Sequence, residues 1–225
     1  MKTAFAVALV AGAAAAANAA VVASWSADDV DDAASSPALT ADANVTALDL
    51  TRGPGISINT AGSTFNSRNW TDGDLAAAVA DGDFLSFGVT VDAGYQLDLT
   101  TLDIRLDRSG TGPDDFAIML WGGDLGSSTT VLTHDYQDSG SGVTFNDVDL
   151  TGLGTLTGTV EFRVYAFNAE NTTGTGTFDV EQLVFPGDDT TGIVLNGDVS
   201  LIPTPGSAAL LGLAGFAAAR RRRNG

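Results

Sequence analysis

The sequence predicts an all-β protein, a two-layer sandwich of antiparallel strands. Glycine, threonine and aspartate are abundant, whereas lysine and glutamate, which favour helices, are nearly absent. Short runs of alternating or aromatic-rich sequence recur along the chain, and turn-forming residues separate them. No internal repeat of constant period is present, which argues against a propeller or a solenoid. Short strands joined by turns in this way are typical of a sandwich.

Ten strands are expected, at residues 21–26, 45–51, 84–91, 95–107, 115–121, 131–136, 143–150, 159–167, 177–185 and 193–201. In two of them the alternation identifies the core-facing residues, which are Leu85, Phe87, Val89 and Val91 in one and Val160, Phe162, Val164 and Ala166 in the other. The alternation slips by one residue at Thr100-Thr101, which predicts a β-bulge or a bend. One short helix is expected within residues 74–79.

The charge of the chain is strongly acidic, with 28 acids against 10 bases. All the acids lie between Asp28 and Asp198, and that stretch holds five arginines, so its formal charge is 5 − 28 = −23. Such a surface repels phosphate backbones and attracts cations, which excludes nucleic acid as a partner. Zero cysteines and a single histidine, His134, exclude disulfides, thiolate chemistry and multi-histidine metal sites.

The N-terminal residues 1–19 have the pattern of a Sec-type signal peptide. Lys2 precedes an apolar run, and the small-residue triplet Ala17-Asn18-Ala19 ends it. This pattern predicts cleavage after Ala19 and export. The alternative is an alanine-rich helix of the fold itself, but so uniformly apolar a helix has no polar face for water.

The C-terminal residues 202–225 predict a membrane segment. Pro203-Thr204-Pro205 is followed by an uncharged stretch, and that stretch runs into the basic cluster Arg220, Arg221, Arg222 and Arg223. The uncharged stretch, residues 207–219, covers about 20 Å of a hydrocarbon core that is ~30 Å thick, so the span is short. Arginines favour the cytoplasmic side, which would place the acidic body outside the inner membrane.

A proline hinge, a short apolar helix and terminal arginines on an exported chain resemble the PEP-CTERM sorting signal. The resemblance covers residues 202–223, and Thr204 stands where that family usually has glutamate, so it resembles a Pro-Thr-Pro variant. It implies processing by an exosortase-like membrane protease or transpeptidase near Pro203, Thr204 and Pro205. A tail anchor that is never cut and a different sortase-like system are the alternatives.

Within the predicted β-sandwich domain, residues 20–201, the stretch 83–187 also resembles a secreted jelly-roll module that is often joined to this sorting signal. The likeness lies in the segments 108–118, 160–169 and 176–180. It implies a jelly-roll sandwich and assigns no catalytic residue.

Acidic clusters suggest a structural calcium site, because calcium is bound by six to eight oxygen ligands. None of the clusters has the spacing of an EF-hand loop. Jelly rolls often carry such an ion near their first and last strands, so the candidate ligands are Asp28, Asp29, Asp31, Asp32 and Asp198. A solvated acidic surface that keeps the protein soluble explains the same residues.

Aromatic side chains on a sandwich can stack on sugar rings. Trp70 and Trp121 are the main candidates, with Tyr136 and Tyr165 behind them, because Trp70 lies in a polar loop and Trp121 ends a strand. Each could instead cap the core. Catalytic motifs are absent: His134 and Asp135 are adjacent on a strand and so face opposite ways, and no nucleophile elbow or phosphate-binding glycine motif occurs.

Proteins with this sorting signal accompany exopolysaccharide production, so the resemblance implies an exported, non-catalytic protein of the cell surface or extracellular matrix that binds a polysaccharide. Two alternatives stay open. One is a secreted polysaccharide hydrolase or lyase, which would need only a pair of carboxylates. The other is a purely structural acidic protein that calcium crosslinks.

Overall fold

The computed structural model describes residues 20–30, 32–136, 142–183 and 190–203. Within them the chain forms one helix, α1 (Leu75–Asp81), one 3₁₀ turn (Thr151–Leu153), and the strands β1 (Ala20–Ser26), β2 (Ser35–Ser36), β3 (Ala38–Ala41), β4 (Val45–Arg52), β5 (Ser57–Ile58), β6 (Phe65–Arg68), β7 (Phe84–Val91), β8 (Tyr95–Arg108), β9 (Pro113–Gly122), β10 (Thr129–Asp135), β11 (Val143–Asp149), β12 (Thr155–Leu156), β13 (Thr159–Ala169), β14 (Thr177–Glu181) and β15 (Thr191–Leu201).

The strands form two antiparallel sheets. The first has nine strands in the order β3-β1-β15-β8-β14-β6-β5, with β11 and β12 also paired to the long strand β8. The second has six strands in the order β10-β9-β13-β7-β4-β2. One hydrophobic core receives buried side chains from both sheets, so the predicted two-layer antiparallel sandwich is confirmed.

The core faces are those that the alternation predicts. Leu85, Phe87 and Val89 on β7, like Val160, Phe162 and Val164 on β13, have at most 1% of their surface exposed. Phe87 and Phe162 stack with their ring centroids 5.3 Å apart, and the Trp25 ring of the facing sheet lies 5.2 Å from Phe87. The Trp25 indole N–H donates to the Leu48 carbonyl at 2.7 Å, which satisfies its one polar atom.

The predicted bulge and helix are also present. Asn196 of β15 pairs with Thr101 and Gly197 pairs with Leu99, so Thr100 is the extra residue of a bulge. Asp74 caps α1 by accepting the Ala77 N–H at 3.0 Å, and Gly82 ends the helix with a φ of 77°. All ten predicted strands occur, although the one expected at 177–185 ends at Glu181, and five strands of two to four residues were not expected.

Several predicted features lie outside the described residues. They include the signal peptide with Ala17 and Ala19, the acid Asp31, and the sorting residues Thr204, Pro205, Arg220, Arg221, Arg222 and Arg223. Pro203 is the last residue described, and it follows the exposed Leu201 and Ile202 at the end of β15. No helix in the described part of the chain has the length and apolar character that a membrane span requires.

Candidate functional site

The outer face of the six-stranded sheet carries a group of polar and aromatic side chains. Because Val160, Phe162 and Val164 point into the core, Glu161 and Arg163 of β13 point outward. The strand pairing places Glu161 between Trp121 of β9 and Gly88 of β7. We call this surface the Trp121 face, and it consists of Leu48, Asp49, Thr51, Ser86, Gly88, Met119, Trp121, Glu161 and Arg163.

An ion pair fixes the centre of the Trp121 face. The Arg163 Nε and Nη2 atoms donate to the two Glu161 carboxylate oxygens at 3.1 and 2.9 Å, and Nη1 donates to the Tyr165 hydroxyl at 3.5 Å. The same guanidinium lies 4.9 Å from the centroid of the Trp121 ring and 4.6 Å from that of Phe84. Burial lowers the pKa of Arg163, but the hydrogen bonds with Glu161 and Tyr165 raise it more, so the guanidinium stays charged.

Beside this ion pair, the face has a cleft of about 350 Å³ lined by Leu48, Asp49, Thr51, Ser86, Phe87 and Glu161. Gly88 of β7 pairs with both Leu48 and Glu161, and so lies between two residues that line the cleft. Glycine is required there because a Cβ would lie 2.1 Å from the Val160 carbonyl oxygen. The Thr51 and Ser86 hydroxyls share a hydrogen bond of 2.9 Å on the opposite side from Glu161. The size is that of a small ligand site.

Trp121 is partly exposed and pairs across the strands with Glu161, which lines the cleft. Its indole N–H is buried and has no acceptor among the described residues. An unpaired buried donor costs about 1–3 kcal/mol, so the fold alone gives a poor explanation for a tryptophan at this position. The turn Gly122-Gly123, with φ values of 79° and 62°, follows directly and ends the strand.

The other aromatic candidates are buried, which corrects the expectation of an exposed ring. Trp70 is 4% exposed, its N–H donates to the Ser67 carbonyl at 3.0 Å, and its ring meets that of Phe178 edge-on at 5.4 Å. Although its neighbours in sequence are polar, Trp70 therefore caps the core. Tyr136 and Tyr165 are 3% and 1% exposed. Burial also raises the pKa of the Tyr136 hydroxyl, which donates to the Leu106 carbonyl at 3.0 Å.

The predicted calcium ligands do not meet at one place. Asp198 lies at the end of β15 that pairs with Ala20, whereas Asp28 and Asp29 follow the other end of β1, beside Thr191. A shared site for these acids is therefore wrong, because the length of β1 separates them. Asp28, Asp29 and Asp32 are exposed, and the Asp28 carboxylate accepts a hydrogen bond from the Gln182 amide at 3.0 Å.

His134 lies among aromatic rings rather than in a catalytic pair. Its ring is 4.9 Å from Tyr136, 5.2 Å from Phe145 and 5.5 Å from Phe116, measured between centroids. His134 is therefore a strand residue that packs against its aromatic neighbours.

Three acids with raised pKa values lie away from the Trp121 face, and the sequence analysis did not single them out. Burial raises the pKa of Asp83 to about 6, next to α1, and that of Asp179 to about 7, on β14. Glu181 follows on the same face of β14, and burial together with the Asp107 charge raises its pKa. Only the alternation of β14, with Phe178 and Val180 buried, could have placed Asp179 and Glu181 on one face.

No protein-family model matches the chain, and the searches of curated proteins and of solved structures likewise found no match.

Proposed function

We propose that the chain is an exported, non-catalytic jelly-roll protein of the cell surface or extracellular matrix, and that it binds a polysaccharide through the Trp121 face. The observation that carries this proposal is the open cleft lined by Asp49, Ser86 and Glu161, together with the partly exposed Trp121 that pairs with Glu161. Carbohydrate sites combine an aromatic surface with carboxylate and hydroxyl groups that bind sugar hydroxyls. Asp49, Thr51 and Ser86 supply those polar groups here.

Binding to a glycan panel and to the host's matrix polymer tests this proposal, with the full-length chain in a mild detergent, once with calcium and once with EDTA. Trp121→Ala is expected to weaken binding at least tenfold, since it removes the stacking surface. Tyr95→Ala is the matched aromatic control, because Tyr95 lies at the start of β8 in the other sheet. Silence of the wild-type chain under both conditions would reject polysaccharide binding.

The export and sorting part of the proposal rests on the two terminal segments. The signal-peptide pattern supports Sec export, and the Pro203 hinge with the apolar stretch and four arginines supports a transient inner-membrane anchor and processing by an exosortase-like enzyme. Replacement of all four arginines, Arg220 to Arg223, by serine is expected to abolish the size shift between membrane-bound and surface forms on an immunoblot of host fractions. Unchanged processing of that variant would contradict the proposal.

A polysaccharide hydrolase is the second candidate, because Asp49 and Glu161 both line the cleft. A glycosidase needs one carboxyl with a raised pKa as general acid. Both Glu161 carboxylate oxygens instead accept hydrogen bonds from Arg163, and the acids with raised pKa values, Asp83, Asp179 and Glu181, lie elsewhere. Release of reducing sugar, lost in Glu161→Gln, would favour the hydrolase. Assembly on calcium addition without glycan, followed by light scattering, would instead favour a structural protein.

A further inference from the structure

The charges that line the cleft indicate which class of polysaccharide it takes. Asp49 is exposed at a register shift in β4, between Leu48 and Thr51, and the Ser35 hydroxyl donates to it at 3.1 Å. Glu161 of β13 lies on the opposite side of the cleft. Strand β7, which holds Gly88, runs between β13 and β4. Two carboxylates therefore border a space of about 350 Å³.

The arginines near the cleft, Arg163 and Arg52, already donate hydrogen bonds to other groups of the protein. Both outer donor atoms of the Arg163 fork are engaged, one with Glu161 and one with Tyr165, and the guanidinium lies close to two aromatic rings. Arg52 of β4 pairs with the core-facing Leu85, and its guanidinium lies 3.7 Å from the Phe65 centroid while donating to the Ala33 and Asn66 carbonyls. The remaining described arginines, Arg68, Arg105 and Arg108, belong to strands of the other sheet. An anionic sugar would thus face carboxylates without a free guanidinium.

The carboxylates keep capacity for a cation. Each carboxylate oxygen has two lone pairs, so the Glu161 oxygens that accept from Arg163 can each accept one more hydrogen bond. The charge of −23 between Asp28 and Asp198 draws cations toward the whole domain.

We propose that the cleft binds a polysaccharide with free, protonated amino groups, that is, an amino-sugar polymer, with the amine on Asp49 and Glu161 and a sugar ring against Trp121. This inference rests on the proposed polysaccharide-binding function and names its substrate class. Ammonium–carboxylate hydrogen bonds are about twice as strong as neutral ones. The same two carboxylates would repel the carboxylates of uronic acid polymers and so select against them.

The test is isothermal titration calorimetry of the full-length chain in mild detergent at pH 6. The four probes are linear hexamers of glucosamine, N-acetylglucosamine, glucose and galacturonic acid. The glucosamine hexamer is expected to bind at least tenfold more tightly than the two neutral hexamers, and the galacturonate hexamer is expected not to bind. N-acetylglucosamine lacks the positive charge of glucosamine but has the same ring. Comparison of these two hexamers therefore measures the contribution of the charged amine to binding.

Two variants separate the cleft from the general acidity of the domain. Asp49→Asn is expected to weaken glucosamine binding about tenfold and to weaken binding of the neutral hexamers less, because the amide loses the charge but can still bind sugar hydroxyls. Asp198→Asn removes the same charge from the exposed side of β15 in the other sheet, and it is expected to change binding by less than twofold. Equal losses in both variants would show diffuse attraction and overturn the inference. Melting temperatures of both variants, matched to wild type, control for folding.

The inference and the proposed function fail in different ways. Tight binding of neutral or galacturonate hexamers that Trp121→Ala abolishes would overturn the amine preference and leave polysaccharide binding standing. Absence of binding for all four hexamers, together with silence on the broader glycan panel, would overturn both.

Discussion

At the scale of single residues, Asp83 is a buried carboxylate whose two oxygens have unequal surroundings. It is 2% exposed, and Oδ2 accepts the Thr71 N–H at 2.8 Å. Oδ1 is also buried and has no donor among the described residues, and it lies so close to Gly55 that a Cβ there would be 1.9 Å away. Burial raises the pKa to about 6, the Thr71 hydrogen bond lowers it, and the nearby Asp81 charge raises it.

Asp83→Asn is therefore expected to stabilise the protein, relative to wild type, more at pH 7.5 than at pH 4. The folded pKa of Asp83 lies above the ordinary value of 3.8, so the wild type has its full stability below pH 4 and loses part of it as the pH rises to about 6. The asparagine side chain does not titrate, so the variant does not lose this stability as the pH rises. Its amide oxygen can still accept the Thr71 N–H. The gain of the variant over wild type should grow by about 1–3 kcal/mol between pH 4 and pH 7.5.

Urea denaturation at the two pH values measures this difference. Asp72→Asn is the control, because Asp72 is an exposed acid in the loop before α1. A gain that is equal at both pH values would contradict the role assigned to the Asp83 charge.

At the scale of secondary-structure elements, the alternation of side chains predicted the long strands because it is a local signal. β7 and β13 alternate over their length, so their core residues could be read directly. Short strands such as β2 and β5 have two residues each and exist through pairing with β4 and β6. Two residues cannot show a period, so these strands could not be predicted.

The same limit applies to the candidate site. That Glu161 and Arg163 face outward follows from the alternation of β13, but their position beside Trp121 and Gly88 depends on the strand order β9-β13-β7. This order joins segments that are distant in sequence, and no local pattern encodes it. Whether Trp70 caps the core or lies exposed stayed open for a related reason, since Phe178, which packs against it, is more than a hundred residues away in the chain.

At the scale of the whole molecule, the burial of acidic side chains and the excess of negative charge both lower the stability of the folded protein as the pH rises. Thr64 and Asp179 share a hydrogen bond, and Asp179 lies directly between Asp107 and Asn66 in adjacent strands, with Glu181 two residues along. Burial raises the pKa of Asp179 to about 7; the Thr64 hydrogen bond lowers it, the Glu181 and Asp107 charges raise it, and Arg105 lowers it. Arg105 is the cation of this group and pairs with Glu181 at 2.7 Å.

The protein is expected to be most stable at mildly acidic pH and to lose stability steadily from about pH 4.5 to 7.5. Asp179 and Asp83 have folded pKa values of about 7 and 6, above their ordinary value of 3.8, so the unfolded chain releases these protons first and becomes favoured as the pH rises. Repulsion within a domain of charge −23 acts the same way. Thermal melting at pH 4.5, 6 and 7.5 measures the trend.

Salt and one variant separate the two causes of this trend. Sodium chloride at high concentration screens repulsion between exposed acids but leaves the burial of Asp179 unchanged, so part of the slope should persist in salt. Asp179→Asn should remove much of that residual slope, because the amide does not titrate and can still accept the Thr64 hydroxyl. Asp198→Asn should leave the slope in salt unchanged. A melting temperature that rises with pH would contradict both causes, since each requires that the folded state holds its protons more tightly than the unfolded chain.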